Sequence, residues 1–289
     1  MSETIPNSTK KLLQWVVEVN NTAMPAAEKQ SIAYMVLEHL FKIDKVEIIT
    51  DRSVNLSKSQ WKSLRAIADR INQEEPIQYI LEEADFYGRK FTVSRSVLIP
   101  RNETEELAAL IVHDHKGKKI RLLDIGTGTG CIAITVAKEL KLGKVHAIDF
   151  DPRVIKVARV NATLHQVDLD IMMIDVLKEN IPLQGLDVIV SNPPYVLDSE
   201  KEVMSNNVLQ YEPQTALFVS DDQPIIFYEI IADRALEALR DEGKLYFEIN
   251  ERFGEQVKFM LERKGFKHVT VIQDIHGKDR IVRGSKSFA

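Results

Sequence analysis

The segment Leu122-Leu123-Asp124-Ile125-Gly126-Thr127-Gly128-Thr129-Gly130 constrains the fold more than any other stretch of the chain. An apolar run leads through alternating glycines into the helical pattern Ile132 to Leu142. Glycine lets the backbone turn tightly and approach a ligand, and the first turn of the following helix offers unpaired N–H groups. The same strand-then-helix alternation continues downstream. The apolar runs Ile120 to Leu123, Val145 to Ile148, Leu169 to Ile174, Val188 to Val190 and Leu245 to Ile249 are separated by helical stretches such as Arg153 to His165 and Ile226 to Leu239. Such alternation predicts an α/β fold, a mostly parallel sheet covered by helices on both faces. At the end, Val269 to Ile272 and Arg280 to Val282 flank Asp274-Ile275-His276-Gly277-Lys278, which predicts an antiparallel hairpin.

The spacing of the glycines narrows the ligand. It is G-x-G-x-G, with Asp124 two residues before Gly126, and differs from the G-x-G-x-x-G of dinucleotide sites. No G-K-[ST] ending follows, which disfavours a phosphate-binding loop. An acid at the strand end suits a ligand with an ammonium group. The second strand ends at Asp149, placed to accept both hydroxyls of a ribose. Asp175 follows Ile171 to Ile174 and can accept from an adenine amino group, with Val176 against the ring. Any one of these acids alone reads equally well as a helix cap. Together, beside the glycine turn, they point to an adenosyl cofactor with an amino-acid tail, S-adenosylmethionine. Cofactor contacts are expected from Asp124, Gly126, Thr127, Gly128, Thr129, Gly130, Asp149, Asp175 and Val176.

A second motif, Ser191-Asn192-Pro193-Pro194-Tyr195, follows the apolar run Val188 to Val190. Two prolines fix two φ angles, restrict the residues before them and remove two backbone donors. The resulting loop displays carbonyl oxygens and the Asn192 side-chain oxygen as acceptors. It suits a planar group with two N–H bonds, with Tyr195 supplying a flat face. An amide nitrogen is a poor nucleophile because its lone pair is delocalised. If Asn192 and the Pro193 carbonyl accept its hydrogens, that lone pair can be aimed at a sulfonium methyl. Positioning of this kind contributes on the order of several kcal/mol without a strong base. In isolation the motif reads as a stiff turn closing a strand; at a switch point of a glycine-turn sheet it reads as the substrate loop.

Ahead of this region the pattern is helical. Leu12, Leu13, Val16 and Val17, then Ile32, Met35, Val36 and Leu40, then Trp61, Leu64, Ala68 and Ile71 recur at helical spacing, and no glycine precedes Gly88. Residues 1–75 are expected to form a small helical bundle that docks substrate. Residues 76–101 form a connector, with two short strands in Phe86 to Val93 and an edge strand at Val97-Leu98-Ile99-Pro100. Residues 102–289 are the catalytic domain.

Composition limits partners and location. The net charge of −5 disfavours stable nucleic-acid binding, although Arg89, Lys90, Arg95 and Arg101 make the connector locally basic. A single cysteine, Cys131, allows no internal disulfide and fits a reducing cytoplasm; as a small packed residue it is not expected to act as a nucleophile. The polar start Met1 to Lys11 is unlike a signal peptide, and no apolar run is long enough to span a bilayer. The 7 histidines lack metal-ligand spacing, so no metal is expected. Lys116-Gly117-Lys118-Lys119 reads as a solvated turn.

These residues, together with Pro76-Ile77-Gln78-Tyr79-Ile80-Leu81, Phe86-Tyr87-Gly88, Leu98-Ile99-Pro100-Arg101, Glu103-Thr104-Glu105, Tyr211-Glu212-Pro213, Phe247-Glu248-Ile249 and Asp279-Arg280, resemble the HemK/PrmC family over almost the whole chain. Members of that family are glutamine methyltransferases acting on peptide chain release factors. The resemblance implies a class I S-adenosylmethionine methyltransferase fold with a Rossmann-like sheet and a small N-terminal helical bundle. It also implies S-adenosylhomocysteine as product, Asn192 among the residues that hold S-adenosylmethionine, and a release factor's Gly-Gly-Gln glutamine held by Asn192, Pro193, Pro194 and Tyr195. A cytoplasmic monomer with no membrane association is expected. The chain departs from the family pattern at Asn102, at Ala216 to Ser220 and at Asn250, positions expected to lie away from the cofactor and glutamine contacts. Three alternatives differ in substrate or chemistry: glutamine methylation of a large-subunit ribosomal protein, amino methylation of a nucleic acid, and a non-catalytic cofactor-binding scaffold.

Overall fold

A computed structural model describes residues 5–287, so the expectations for Met1 to Thr4 and for Phe288 and Ala289 lie outside the described residues. The chain forms two compact units. One comprises the residues up to Glu82 together with Ser205–Tyr211; the other comprises Glu83–Met204 and the residues from Glu212 onward.

The first unit is helical: α1 (Thr9–Val19), α2 (Ala26–Phe41), α3 (Lys45–Ile49), α4 (Lys58–Ile71) and α5 (Ile77–Leu81). Reciprocal caps start two of these helices, Asp44 with Glu47 and Ser57 with Gln60, satisfying amide donors that have no partner inside the helix. Leu12, Val16, Ile32, Val36, Trp61, Leu64 and Ile71 share one core, so the stripes read from the sequence face inward. The Tyr211 hydroxyl, far along the chain, donates to the Gln73 carbonyl at 2.8 Å.

The second unit begins with a hairpin, β1 (Glu83–Phe86) and β2 (Arg89–Thr92). Its two turn residues, Tyr87 and Gly88, have φ of 52° and 68°, the left-handed pair of a type I′ hairpin turn. The edge strand expected at Val97 to Pro100 does not form. The Val97 amide closes a turn onto Ser94, and the Ile99 amide goes to the Glu212 carboxylate instead of a strand ladder. The elements that follow are α6 (Asn102–Asp114), β3 (Leu122–Ile125), α7 (Cys131–Leu140), β4 (Lys144–Asp149), α8 (Pro152–Leu164), β5 (Asp168–Met173), β6 (Leu186–Ser191) and β7 (Val196–Leu197). After α9 (Asn206–Tyr211), which belongs to the first unit, come α10 (Gln214–Leu217), β8 (Phe218–Val219), α11 (Ile226–Ala238), β9 (Leu239–Glu248), α12 (Gly254–Arg263), β10 (Lys267–Gln273) and β11 (Asp279–Ser285).

Seven strands form one sheet in the order β10-β11-β9-β6-β3-β4-β5. Five are parallel, and β11 and β10 add an antiparallel hairpin, as the sequence predicts. Period-two burial accounts for both covered faces. Leu123, Ile189, Leu245 and Phe247 pack with residues of α11 and α12, whereas their neighbours Leu122, Val188, Val190 and Tyr246 pack with residues of α6 and α7. From β3 the chain steps outward to β4 and β5, then returns to the other side of β3 as β6. The reversal opens a crevice at the carboxyl ends of β3, β4 and β6, where an open α/β sheet binds its ligands. No helix among the described residues is long and apolar enough to cross a membrane.

Candidate active site

A cavity of about 370 Å³ occupies that crevice, within the usual size for a small-molecule site. The glycine turn forms one wall. Gly126, Gly128 and Gly130 all have positive φ, at 68°, 56° and 80°. A Cβ at Gly126 or Gly128 would meet nothing within 4 Å, so the turn leaves open space beside the backbone. The Gly126 and Thr127 amides donate to the Ile148 carbonyl at 2.9 and 3.1 Å, which fastens the turn to the end of β4. Asn161, fully buried on α8, donates to the carbonyls of Thr129 and Thr92, both at 2.9 Å, and ties the turn to β2.

Asp149 ends β4 and lines the cavity. Its carboxylate accepts from the Gly128 amide at 3.3 Å and the Asp151 amide at 3.2 Å. Burial raises its pKa, and those amides oppose the rise by favouring the charged form. Asp175 and Val176, just beyond β5, also line the cavity, with Phe150 and Ile174 adding apolar wall. The Asp175 carboxylate additionally accepts from the Leu177 amide at 3.1 Å and pairs with Lys178 at 2.7 Å. No helix directly follows Asp175, so it closes a turn rather than capping a helix, and that contact coexists with its place on the wall.

On the opposite side of the crevice, the Ser191 hydroxyl donates to the Ile125 carbonyl at 2.8 Å, joining the end of β6 to the end of β3. That bond sets the start of the proline loop, and Asn192, Pro193 and Pro194 line the same cavity as Asp149. The Asn192 Nδ2 donates to Thr104 Oγ1 at 3.2 Å. The Thr104 hydroxyl donates to Glu248 Oε2 at 2.7 Å, and the Tyr195 hydroxyl donates to Glu248 Oε1 at 3.0 Å. Burial raises the pKa of Glu248, opposed by the two hydroxyls and by the positive charge of Arg280.

Three expected contacts stand apart from the cavity wall. Asp124 is buried beneath the turn, where its Oδ2 accepts from the Thr127 hydroxyl at 2.8 Å. Burial pushes its pKa up to about 7. Gly130 lies against α7, where an added Cβ would sit 3.1 Å from Ile134 Cδ1. Tyr195 turns its hydroxyl inward to Glu248. Two departures from the family pattern do reach the site, contrary to expectation. Phe218 lines the cavity, and Asn250 Nδ2 donates to the Tyr195 carbonyl at 3.2 Å. The first follows from β7 pairing with β8, which brings Phe218 and Val219 beside the proline loop, and the second from the position of Asn250 just beyond the end of β9.

The sequence alone assigns no role to Thr104, Asn161 or Glu248. The available signal was a carboxylate inside the apolar strand end Phe247-Glu248-Ile249, since an unpaired buried charge is costly. Burial pushes the Cys131 thiol up to about 12, consistent with an inert packed residue. The connector's basic residues are largely neutralised: Arg89 pairs with Glu139, Lys90 with Glu83, and Arg101 with Glu212 at 2.6 Å. Among the described residues, no cluster of three or more His, Cys, Asp or Glu could hold a metal ion.

Two known families match the chain: the PrmC N-terminal domain over residues 11–81 and the methyltransferase small domain over residues 104–215. A release factor glutamine methyltransferase from Flavobacterium psychrophilum is 39% identical over 89% of this chain and 91% of its own length. One from Bacteroides thetaiotaomicron is 41% identical over 91% of this chain and 94% of its own. Among solved structures, a methyltransferase from Pyrococcus furiosus shares the fold, with a TM-score of 0.53 at 17% identity over 70% of this chain and 91% of that one. With this similarity running through both the helical unit and the cavity-bearing sheet, the chain belongs to the release factor glutamine methyltransferase family.

Proposed function

We propose that this enzyme methylates the side-chain amide of the glutamine in the Gly-Gly-Gln motif of peptide chain release factors. The observation that carries this reading is the shared cavity. An acceptor-rich proline loop and a glycine turn with a strand-end acid face one space of about 370 Å³. When bound, S-adenosylmethionine supplies an electrophilic methyl group on a sulfonium. The cavity fits it in three respects: open space beside Gly126 and Gly128, a carboxylate at Asp149, and apolar wall at Phe150 and Val176.

In this reading Asp149 accepts from the ribose hydroxyls, Asp175 and Val176 flank the adenine, and the turn from Gly126 to Gly130 approaches the amino-acid tail. Asp124 acts from beneath, holding Thr127 in the turn that approaches the ammonium group. Asn192 Oδ1 and the Pro193 carbonyl accept the two N–H bonds of the glutamine amide and turn its lone pair toward the methyl group, while Pro193 and Pro194 keep those acceptors rigid. Tyr195 braces the loop from behind through Glu248. Residues 1–75 serve in substrate docking, 76–101 as connector and 102–289 as the catalytic domain. The net charge of −5 and the paired connector arginines support a protein substrate without stable nucleic-acid binding, and we place the enzyme in the cytoplasm as a monomer.

Transfer of a labelled methyl group tests this. Label should pass to a purified release factor and be lost when the Gly-Gly-Gln glutamine is replaced. Equal labelling of that altered factor would contradict the reading.

A further inference from the structure

The two ends of the Asn192 carboxamide differ in what they offer a substrate. The nitrogen end only donates, and the oxygen end only accepts. An incoming amide needs the oxygen, so one of the two orientations of this flat group is useless. Glu248 settles which one forms. Its side chain is fully buried, and both oxygens are taken by hydroxyls, Oε1 by Tyr195 at 3.0 Å and Oε2 by Thr104 at 2.7 Å. A hydroxyl has a single proton. With that proton committed to Glu248, Thr104 Oγ1 faces Asn192 with lone pairs alone and accepts from Nδ2 at 3.2 Å.

We propose that Thr104 and Glu248 are positioning residues that lock the Asn192 carboxamide with its oxygen presented to the substrate amide. Thr104 lies in the first turns of α6 and Glu248 is the last residue of β9, so the lock is anchored on two elements outside the proline loop. It favours a substrate nitrogen that donates an N–H over a group that only accepts. A carboxylate is required at the far end, because a neutral carboxamide there has a donor of its own. Such a donor lets the Thr104 hydroxyl reverse and the Asn192 group turn over. The inference rests on the role proposed above for Asn192.

The test compares Thr104→Val, Thr104→Ser and Glu248→Gln. It reads methyl transfer to a release factor, S-adenosylhomocysteine binding by calorimetry, and the unfolding midpoint. Thr104→Val keeps the shape and loses the hydroxyl, so kcat should fall about 10- to 100-fold with S-adenosylhomocysteine affinity within about threefold. Glu248→Gln should behave likewise. Thr104→Ser restores the hydroxyl and should turn over at least about tenfold faster than Thr104→Val. Equal rates for Thr104→Val and Thr104→Ser would overturn the proposal. So would a loss of S-adenosylhomocysteine affinity in Thr104→Val as large as its loss of kcat, which would mark Thr104 as merely structural. Asn192→Ala separates the two levels of argument. Normal turnover by Asn192→Ala removes the reading of the loop itself, whereas an inactive Asn192→Ala beside a fully active Thr104→Val removes only the lock.

Discussion

Asn192 and Asp149 line one cavity, yet substitution at each should fail in a different measurement. Asn192→Ala removes the acceptor aimed at the substrate and leaves the glycine turn intact. Methyl transfer should be abolished while cofactor affinity stays within about tenfold, and turnover near that of the unaltered enzyme would refute the assignment. Asp149→Ala removes the proposed ribose acceptor and also the partner of the Gly128 and Asp151 amides. Calorimetric titration should show cofactor binding weakened by about 10- to 100-fold, since hydrogen bonds to charged groups contribute about 1.5–3 kcal/mol. Unchanged affinity would exclude the ribose role. Both residues were legible in the sequence because each belongs to a contiguous motif whose spacing has a physical meaning. Thr104 and Glu248 were not, being 144 positions apart and joined only by the fold. Tyr195 shows the same limit: its motif was plain, but the inward turn of its hydroxyl depends on a buried acid from another strand.

At the scale of elements, α6 is fastened to the sheet by a half-buried polar cluster. Asp114 Oδ2 accepts from the Tyr246 hydroxyl at 2.7 Å, Lys244 at 3.0 Å and Arg283 at 2.7 Å. Burial alone would raise the Asp114 pKa, but these three donors outweigh it and hold the carboxyl well below the usual range. Beside it, His115 is 6% exposed and shares a 3.1 Å hydrogen bond with the Tyr246 hydroxyl. Burial, reinforced by the Lys244 charge, pushes the His115 pKa down to about 4. In the unfolded chain a histidine titrates near 6.5, so between these values the unfolded state binds the extra proton. Stability is therefore complete above about pH 6.5 and declines toward pH 4, by at most about 1.4 kcal/mol per pH unit from this group. Denaturant titrations across that range should show the slope, and His115→Gln should flatten it; an unchanged slope would exonerate His115. The start of helix α6 carries no side-chain cap, so the sequence does not mark it. The segment from Val97 to Pro100 departs from the strand its sequence suggests for a related reason. Its apolar residues looked like a strand, but the partner of its Ile99 amide is a glutamate 113 positions away. The strands of the main sheet were legible because burial on both faces leaves near-continuous apolar runs.

For the whole molecule, the cavity is built from residues of the second unit alone. Ligand binding should therefore stabilise that unit by mass action. At a free cofactor concentration a hundredfold above Kd, the gain is about 2.7 kcal/mol. A unit of this size should then unfold roughly 5–10 °C higher. Asp149→Ala should shrink that shift at the same concentration, and an identical shift would contradict the site. The sheet order explains why one chain can combine both motifs. β3 carries the glycine turn and β6 carries the proline loop, and the reversal of strand order makes these two strands neighbours. The central claim, that this geometry methylates a release factor glutamine, is tested most directly by mass spectrometry of a release factor incubated with S-adenosylmethionine and enzyme. The account predicts one added methyl group, located on the Gly-Gly-Gln glutamine and missing when Asn192→Ala replaces the enzyme. An unmodified glutamine, or a methyl group found on another residue of the factor, would contradict it.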